Sequence, residues 1–592
     1  MADAVRHVLQ HHRRPRSGEG GAAGGRVRCR PPGHQRRQPL HPPRQRRAFG
    51  AAIRHRGRRH HPGSLSVLRR WRGPGSGGRR TAASRGDQPQ PQGGVGAGRH
   101  PPTGRRHDPG RRGDVGRAGH HRAATAGGLS AVPGLRSMRA LLGVAILVAA
   151  GGGALRADDP NPGRNRVATA RNLPATWHVA SGEGVLWSAE LGTVTYGGPT
   201  IAGDLVVVGT NNERPRDQAV TGDRGVVMAF DRRDGRFRWQ ITHEKLEAGD
   251  ANDWPLQGVC STPSFDGERL YYVSNRGELV VADLEGVVDW SFDMVGEWDV
   301  FPKHMAASTP LVAGDLVFVS TSNGVTDDGR VPSPDAPSFA AFDRATGRPV
   351  WRDGSPGAGL IDGQWGSPSH GHAGGRAQIV FPAGDGWLYA FEPATGRALW
   401  RFDGNSALAA DESERIESRH VFVATPVFLE DTVYVAAGRD PEASLRAGVL
   451  WAVDARRSGD VTASGTRWRF QDPDFGRAIA TVAVDGGVVY AADLNGFLFA
   501  LDAETGEKLW VYDSLSPFWS SPLVADGKVY AADTEGDVAV LRHGRTLEVL
   551  AEIAMPRPVY TSPSTDGSVV YLATSETLYA LVARASGGGA DA

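Results

Sequence analysis

The chain has 592 residues, more than one ordinary hydrophobic core supports, and contains 79 Gly, 39 Pro and 15 Trp. Many turns and many large aromatics exclude a helical bundle, and two cysteines exclude a disulfide scaffold. The formal net charge of +3 conceals two opposed segments: residues 1–137 carry 30 Arg, no Lys and 5 acids, whereas residues 138–592 hold 38 basic and 60 acidic residues.

The first segment also holds 12 of the 19 His and shows no apolar periodicity, as in Pro31-Pro32-Gly33-His34-Gln35-Arg36-Arg37. A basic arm for nucleic acid would use Lys as well as Arg. Residues 1–137 are therefore read as a non-native or disordered Arg/Gly/Pro-rich extension created by a misassigned start. Met138-Arg139, the apolar run Ala140–Ala150 and the small residues up to Ala157 have the layout of a secretory signal, which makes residues 138–157 a signal peptide. That run is too short to span a bilayer as a helix, and no Cys follows it to carry a lipid.

The expected location is periplasmic or extracellular, with no membrane span after cleavage. The exported part keeps Cys260 alone, so packing must hold it without a disulfide. Cys260 itself reads as a small buried hydrophobe. No Cys-x-x-Cys-His is present, which excludes covalent c-type haem, and the acidic body disfavours nucleic acid.

After a lead-in at 158–183, a repeat fills the chain. A small residue followed by Pro recurs at Gly198-Pro199, Thr262-Pro263, Thr309-Pro310, Ser367-Pro368, Thr425-Pro426, Ser521-Pro522 and Ser562-Pro563, with Thr481-Val482 in the remaining place. An apolar stretch, a tight turn such as Asp266-Gly267 and a Val/Tyr-rich run follow, which is a pair of strands joined by a hairpin. A third strand ends in an Ala-x-Asp step, and a Gly-bearing turn leads to a fourth closed by Trp, as from Ala341-Phe342-Asp343 through Thr346-Gly347 to Trp351. The Gly permits positive φ at the turn and the Trp buries a broad face.

Eight such units predict an all-β, eight-bladed β-propeller of four-stranded antiparallel blades over 184–582. The last unit has three strands, whereas Gly184-Val185-Leu186-Trp187 is an unpaired Trp-ending strand. It is expected to complete the last blade and close the ring, protecting the sheet edges. Residues 583–592 are expected to form a small-residue, disordered tail.

In such a meander the loops from strand two to three and from blade to blade open on one face. The long segments fall into that set, mainly over the first five blades. Loops on a rigid scaffold usually carry function. Among their residues are Asp250, Asp253, Trp254, Gln257, Glu297, Trp298, Asp299, His304, Asn323, Asp362 and Trp365, with Asp474 and Trp519 from later blades. Carboxylates and amides suit Ca²⁺ and Trp rings suit a flat ligand. The plainer alternative is solvated acids and channel-plugging tryptophans. His370-Gly371-His372 lacks a third ligand, no Gly-x-Ser-x-Gly elbow supports acyl hydrolysis, and no phosphate loop is present.

The copies at Ala341–Trp351 and Ala500–Trp510, and Gly384-Asp385-Gly386-Trp387-Leu388-Tyr389-Ala390-Phe391, resemble the PQQ-binding-like β-propeller repeats of the quinoprotein alcohol dehydrogenase-like superfamily. Asp253-Trp254-Pro255-Leu256-Gln257-Gly258-Val259-Cys260-Ser261 and His304-Met305-Ala306-Ala307-Ser308 resemble an exported bacterial subgroup of it. The resemblance implies the fold strongly and an activity weakly. The group includes PQQ- and Ca²⁺-dependent dehydrogenases and also non-enzymatic propellers, such as the lipoprotein that helps to assemble outer-membrane barrels. This chain lacks the adjacent Cys pair that the dehydrogenases place against the quinone.

The leading reading is an exported binding or scaffold module that meets a protein, glycan or small-molecule partner through a loop-rich acidic face. The dehydrogenase alternative places PQQ against Trp365 or Trp254, Ca²⁺ on Asn323 and a carboxylate, and a proton-accepting role on Asp253, with Gln257 and His304 nearby. A third reading is a carbohydrate-binding propeller using the same tryptophans.

Overall fold

The structure is a computed structural model that describes residues 165–583, apart from 248, 250, 414 and 441–445. The basic extension, the signal segment, Asp250 and the tail from 584 lie outside the described residues, as does the lead-in before 165.

Eight antiparallel meanders span Thr200–Glu244, Ser264–Asp293, Leu311–Asp353, Ser369–Asp403, Val427–Phe470, Ala483–Asp513 and Leu523–Ala554, with Ser564–Val582 completed by Val185–Glu190. We number these blades one to eight in that order. The closing strand pairs antiparallel with Thr577–Val582, with Val185 opposite Leu581 and Glu190 opposite Thr577. The ring therefore closes as the sequence predicts.

Second and third strands read as continuous apolar runs because each is covered on both faces by neighbouring blades. Every residue of Leu205–Asn211 is buried, whereas the outer strand Phe237–Glu244 is half exposed. The core accordingly sits between blades: Val206, Val208, Val226, Met228 and Phe230 of the first pack with Tyr571, Leu578 and Ala580 of the eighth.

The Gly and Trp of the repeat meet across blades. In the third blade, Asp343 Oδ1 accepts from the Thr346 N–H at 2.8 Å, bending the chain so that Gly347 takes φ +69°. A Cβ on Gly347 would fall 2.6 Å from the ring of Trp290, the closing Trp of the preceding blade. That indole donates Nε1–H to the Arg344 carbonyl at 3.3 Å. Trp187, Trp239, Trp351 and Trp468 repeat this contact on Gly235, Gly286, Gly396 and Gly506. Because Trp187 docks on the first blade, the seam is sealed by the same contact as its neighbours. Trp400 departs from the pattern, donating instead to Gln378 Oε1 at 2.7 Å, where the inserted Gly459–Asp460 pairs parallel with the outer edge of its blade.

The described lead-in docks on the tight-turn side of blades seven and eight. Arg171 N–H donates to the Gly567 carbonyl and Leu173 N–H to Asp526 Oδ2, both at 2.9 Å. Val167–Ala168 then pairs parallel with the innermost strand of blade seven, Val167 opposite Val524, so the first described residues lie along the ring axis. Among the described residues, no helix is long and apolar enough to cross a membrane.

Candidate functional site

The long loops of the elaborated face are hydrogen-bonded to one another. Trp254 N–H donates to the His304 carbonyl at 2.7 Å, His304 N–H to Ala251 O at 2.8 Å and Asn252 Nδ2 to Pro302 O at 2.8 Å. Gln364 Nε2 donates to Asn323 O at 3.0 Å. These bonds tie blades one to four into a continuous surface. The backbone of His304 sits at φ +62° to make its two contacts, and its ring lies 5.0 Å from that of Trp254.

Trp254, Asn323 and Trp365 all hydrogen-bond to the segment 301–304 that carries His304. Asp253 is buried, and its Oδ2 accepts from Leu246 N–H at 2.9 Å and Asn275 Nδ2 at 2.8 Å. Burial raises its pKa against those hydrogen bonds. Gln257 is buried beside Cys260, whose thiol burial pushes well above the usual range. His304 Nε2 bonds Asp327 Oδ1 at 2.8 Å. Asn323 is fully enclosed, its Oδ1 accepting from Phe301 N–H at 3.0 Å and its Nδ2 donating to Ser333 O at 2.9 Å. Trp298 stacks on Phe342 at 5.5 Å within the blade core.

Trp365 lies over Gly363, donating Nε1–H to Lys303 O at 3.1 Å. Lys303 Nζ is 5.8 Å from its ring centroid and 2.5 Å from Asp362 Oδ1, while Arg439 Nε reaches Asp362 Oδ2 at 3.0 Å. Arg477 is buried close by, and its guanidinium is lowered to about 10 by burial and by Arg439 and Arg446. His420 is depressed to about 4, first by burial and then by Arg477, Arg439 and Arg446. Beneath the loops of blades three to five lies a cationic cluster around one carboxylate.

This arrangement does not fit a quinone on Ca²⁺ held by the nominated groups. The amide oxygen of Asn323 and the carboxylate oxygen Oδ2 of Asp253 are engaged by protein donors. No group of three or more His, Cys, Asp or Glu able to hold a metal ion occurs among the described residues. His370 and His372, 5.2 Å apart on the strand Ser369–Ala373, belong to no such group.

At the axis, the small residues that precede Pro form a ring. Gly198 N–H donates to Thr262 Oγ1 at 2.8 Å, Thr309 N–H to Ser367 Oγ at 2.9 Å and Thr425 N–H to Thr481 Oγ1 at 3.2 Å. Thr481 N–H and Ser521 N–H continue it to Ser521 Oγ and Ser562 Oγ, each at 2.9 Å. With Arg166, this ring lines a cavity of about 130 Å³.

On its loop side, Tyr196, Trp519 and Tyr560 from blades one, seven and eight gather with ring centroids 5.2–5.9 Å apart. Tyr196 and Tyr560 are neither acids nor tryptophans, the residue types that stand out in these loops. The signal is present, because both stand two residues before the small residue of that step, the repeat position that Trp365 and Trp519 occupy.

Fold and axis define a ring-closed β-propeller of PQQ-like repeats. A family profile described as outer membrane protein assembly factor BamB matches residues 178–331 and 335–587, and the chain belongs to that family. The BamB of Yersinia pestis is 25% identical over 327 residues, 53% of this chain and 68% of that protein. The crystal structure of BamB from Moraxella catarrhalis superposes with a TM-score of 0.47 at 16% identity, covering 67% of this chain and 98% of that one. A europium-containing methanol dehydrogenase gives 0.48 at 14% identity, over 70% and 88%.

Proposed function

We propose that the protein is a periplasmic scaffold in outer-membrane protein assembly that holds a protein partner on its loop-rich face. The observation that carries this reading is Leu515, on the loop between blades six and seven. Its side chain is 85% exposed, and its backbone is held at φ +67° by donation to Asp513 Oδ1 at 2.9 Å. A leucine in left-handed backbone with no apolar cover gains nothing for the isolated fold and is suited to a partner's pocket. The exposed acids Glu213, Asp217, Glu297, Asp327, Asp328 and Asp335 give the same face an acidic rim that would steer a basic surface. The family match supports the same role.

A photoreactive residue at position 515, tested in cells, is expected to crosslink a component of the outer-membrane protein assembly machinery. The same probe at Gly314, on the tight-turn side, serves as the control. Equal crosslinking from both positions, or none from 515, would sink the reading.

The cluster of Tyr196, Trp519 and Tyr560 favours a second reading, a saccharide stacked at the channel mouth. Glycan array binding that is lost in Trp519→Ala distinguishes it from the protein-partner reading.

A further inference from the structure

Around the axis, a second tier of hydroxyls joins three of the blades to the next through proline carbonyls. Thr200 Oγ1 donates to Pro263 O at 2.5 Å, Ser264 Oγ to Pro310 O at 2.6 Å and Ser564 Oγ to Pro199 O at 2.7 Å. Blades three, five and six carry Leu311, Val427 and Ala483 at this place, and Ser369 Oγ of blade four has no partner among the described residues; blade seven carries Leu523, which has no hydroxyl to offer Pro563. The donor comes instead from the lead-in: Arg166 Nη2 donates to Pro563 O. Asn165 fixes the approach, pairing like a peptide with Val484 by donating to its carbonyl at 2.6 Å and accepting from its N–H at 2.9 Å. A guanidinium is thereby held inside the channel.

This cation is poorly compensated. Arg166 is 9% exposed, its Nε has no hydrogen-bond partner, and among the described residues no carboxylate pairs with it. Burial alone lowers its guanidinium, to about 10, so it stays charged at neutral pH. Among the described residues, no Asp or Glu lines the cavity it shares with the ring. In the ring, Thr262, Ser367, Thr481, Ser521 and Ser562 each accept a backbone N–H through the hydroxyl oxygen, as described above. An oxygen so used still has its own O–H to donate, and among the described residues none of these five hydrogens is given to another protein group. The cavity thus combines a buried positive charge with hydroxyl donors in excess of acceptors. Leaving such a charge unpaired in a protein interior is costly.

We propose that the central channel is a binding site for a small oxyanion, phosphate, sulfate or a carboxylate group, held by the Arg166 guanidinium and the ring hydroxyls. The site is separate from the loop-rich face and does not depend on the assembly role. Its ligand would bridge the lead-in to the ring, so occupancy couples docking of the N-terminal segment to closure of the axis.

The test is calorimetric titration of the full chain with phosphate, sulfate and acetate in turn, at ionic strength held constant with chloride. One saturable site per chain is expected for at least one of them, with affinity reduced about tenfold or more in Arg166→Gln and partly kept in Arg166→Lys. Binding of phosphate and sulfate without acetate identifies a tetrahedral ligand; binding of acetate alone identifies a carboxylate. Since Arg166→Gln also removes the bond to Pro563, crystals soaked in selenate give an independent reading, with an anomalous peak expected between Arg166 and the ring. Absence of saturable binding of all three anions, affinity unchanged in Arg166→Gln, or selenate found only elsewhere would overturn the proposal.

Discussion

The indole of Trp239 lies so close to Gly286 of the next blade that a Cβ there would be 2.7 Å from Cδ2, and its Nε1–H donates to Leu284 O at 2.7 Å. Gly286 is at φ +83°, so the turn and the docked ring both demand glycine. Gly286→Ala is expected to destabilise by roughly 3 kcal/mol, from overpacking and backbone strain together. Gly314 has φ +61° with no atom near a built Cβ, and Gly314→Ala should cost only about 1 kcal/mol. The difference in urea midpoints between the two variants measures the interblade contact, and equal shifts would show that the indole bears no load there.

Asp362 is 1% exposed and neutralises both Lys303 and Arg439. Asp362→Asn leaves two buried cations beside Arg477 without a counter-charge. A loss of about 3–5 kcal/mol is expected, read as a lowered denaturant midpoint. A change below about 1 kcal/mol would mean that water screens the cluster as it does at a surface.

His420 sits in the same cationic surroundings, with its pKa depressed to about 4 from an ordinary 6.5. Above pH 6.5 the imidazole is neutral in both folded and unfolded chains and contributes no pH dependence. As pH falls from 6.5 towards 4, the unfolded chain takes up a proton that the folded one resists, so stability declines by on the order of 3 kcal/mol. His420→Gln should flatten this limb. Comparing stability against pH for the two proteins isolates the histidine, because the other groups titrate in both.

Leu515 offers a separation of stability from binding. Asn tolerates left-handed backbone better than Leu, so Leu515→Asn should leave stability unchanged or raise it by up to about 1 kcal/mol. If the side chain serves a partner, crosslinking or complex formation falls in the same variant. Loss of stability on this substitution would place the leucine in the fold's own packing.

Cys260 is buried, and its thiol is pushed up by burial and by Asp253. In a Cys29→Ser background, Ellman's reagent is expected to find no reactive thiol in the native protein and one after denaturation. Fast native labelling would show that the Asp253 loop opens.

The ring was legible because its determinants are local and repeated. Gly347, Thr346 and Trp351 each have a fixed place in the motif, and the incomplete last unit pointed to Val185–Glu190 as the missing strand. That the Trp of one unit rests on the Gly of the next is a relation between copies, invisible within one copy.

Site residues were harder to read, since Asp253 and Asn323 stand out by type while type does not reveal whether a polar atom is already engaged by Leu246 or Phe301. Tyr196 and Tyr560 do not stand out by type, and their place shows only in the equivalence of their repeat position to that of Trp365 and Trp519. Arg166 could not be found from local sequence, because its place depends on the lead-in returning to the axis beside Leu523.

Closure by Val185–Glu190 on Thr577–Val582 has a consequence for biosynthesis. The strand made first must wait, edge exposed, until the strand made last arrives, and a contact so distant along the chain forms late and slowly. Until then the blades are a strip with two open ends, the form most prone to pairing with another chain. A stop codon at Thr577 would leave most of the chain intact and yet leave Trp187 without the strand it pairs beside. The vulnerability of the molecule is therefore concentrated at its seam, and damage there should be felt as aggregation of newly made chains before it is felt as loss of any binding surface.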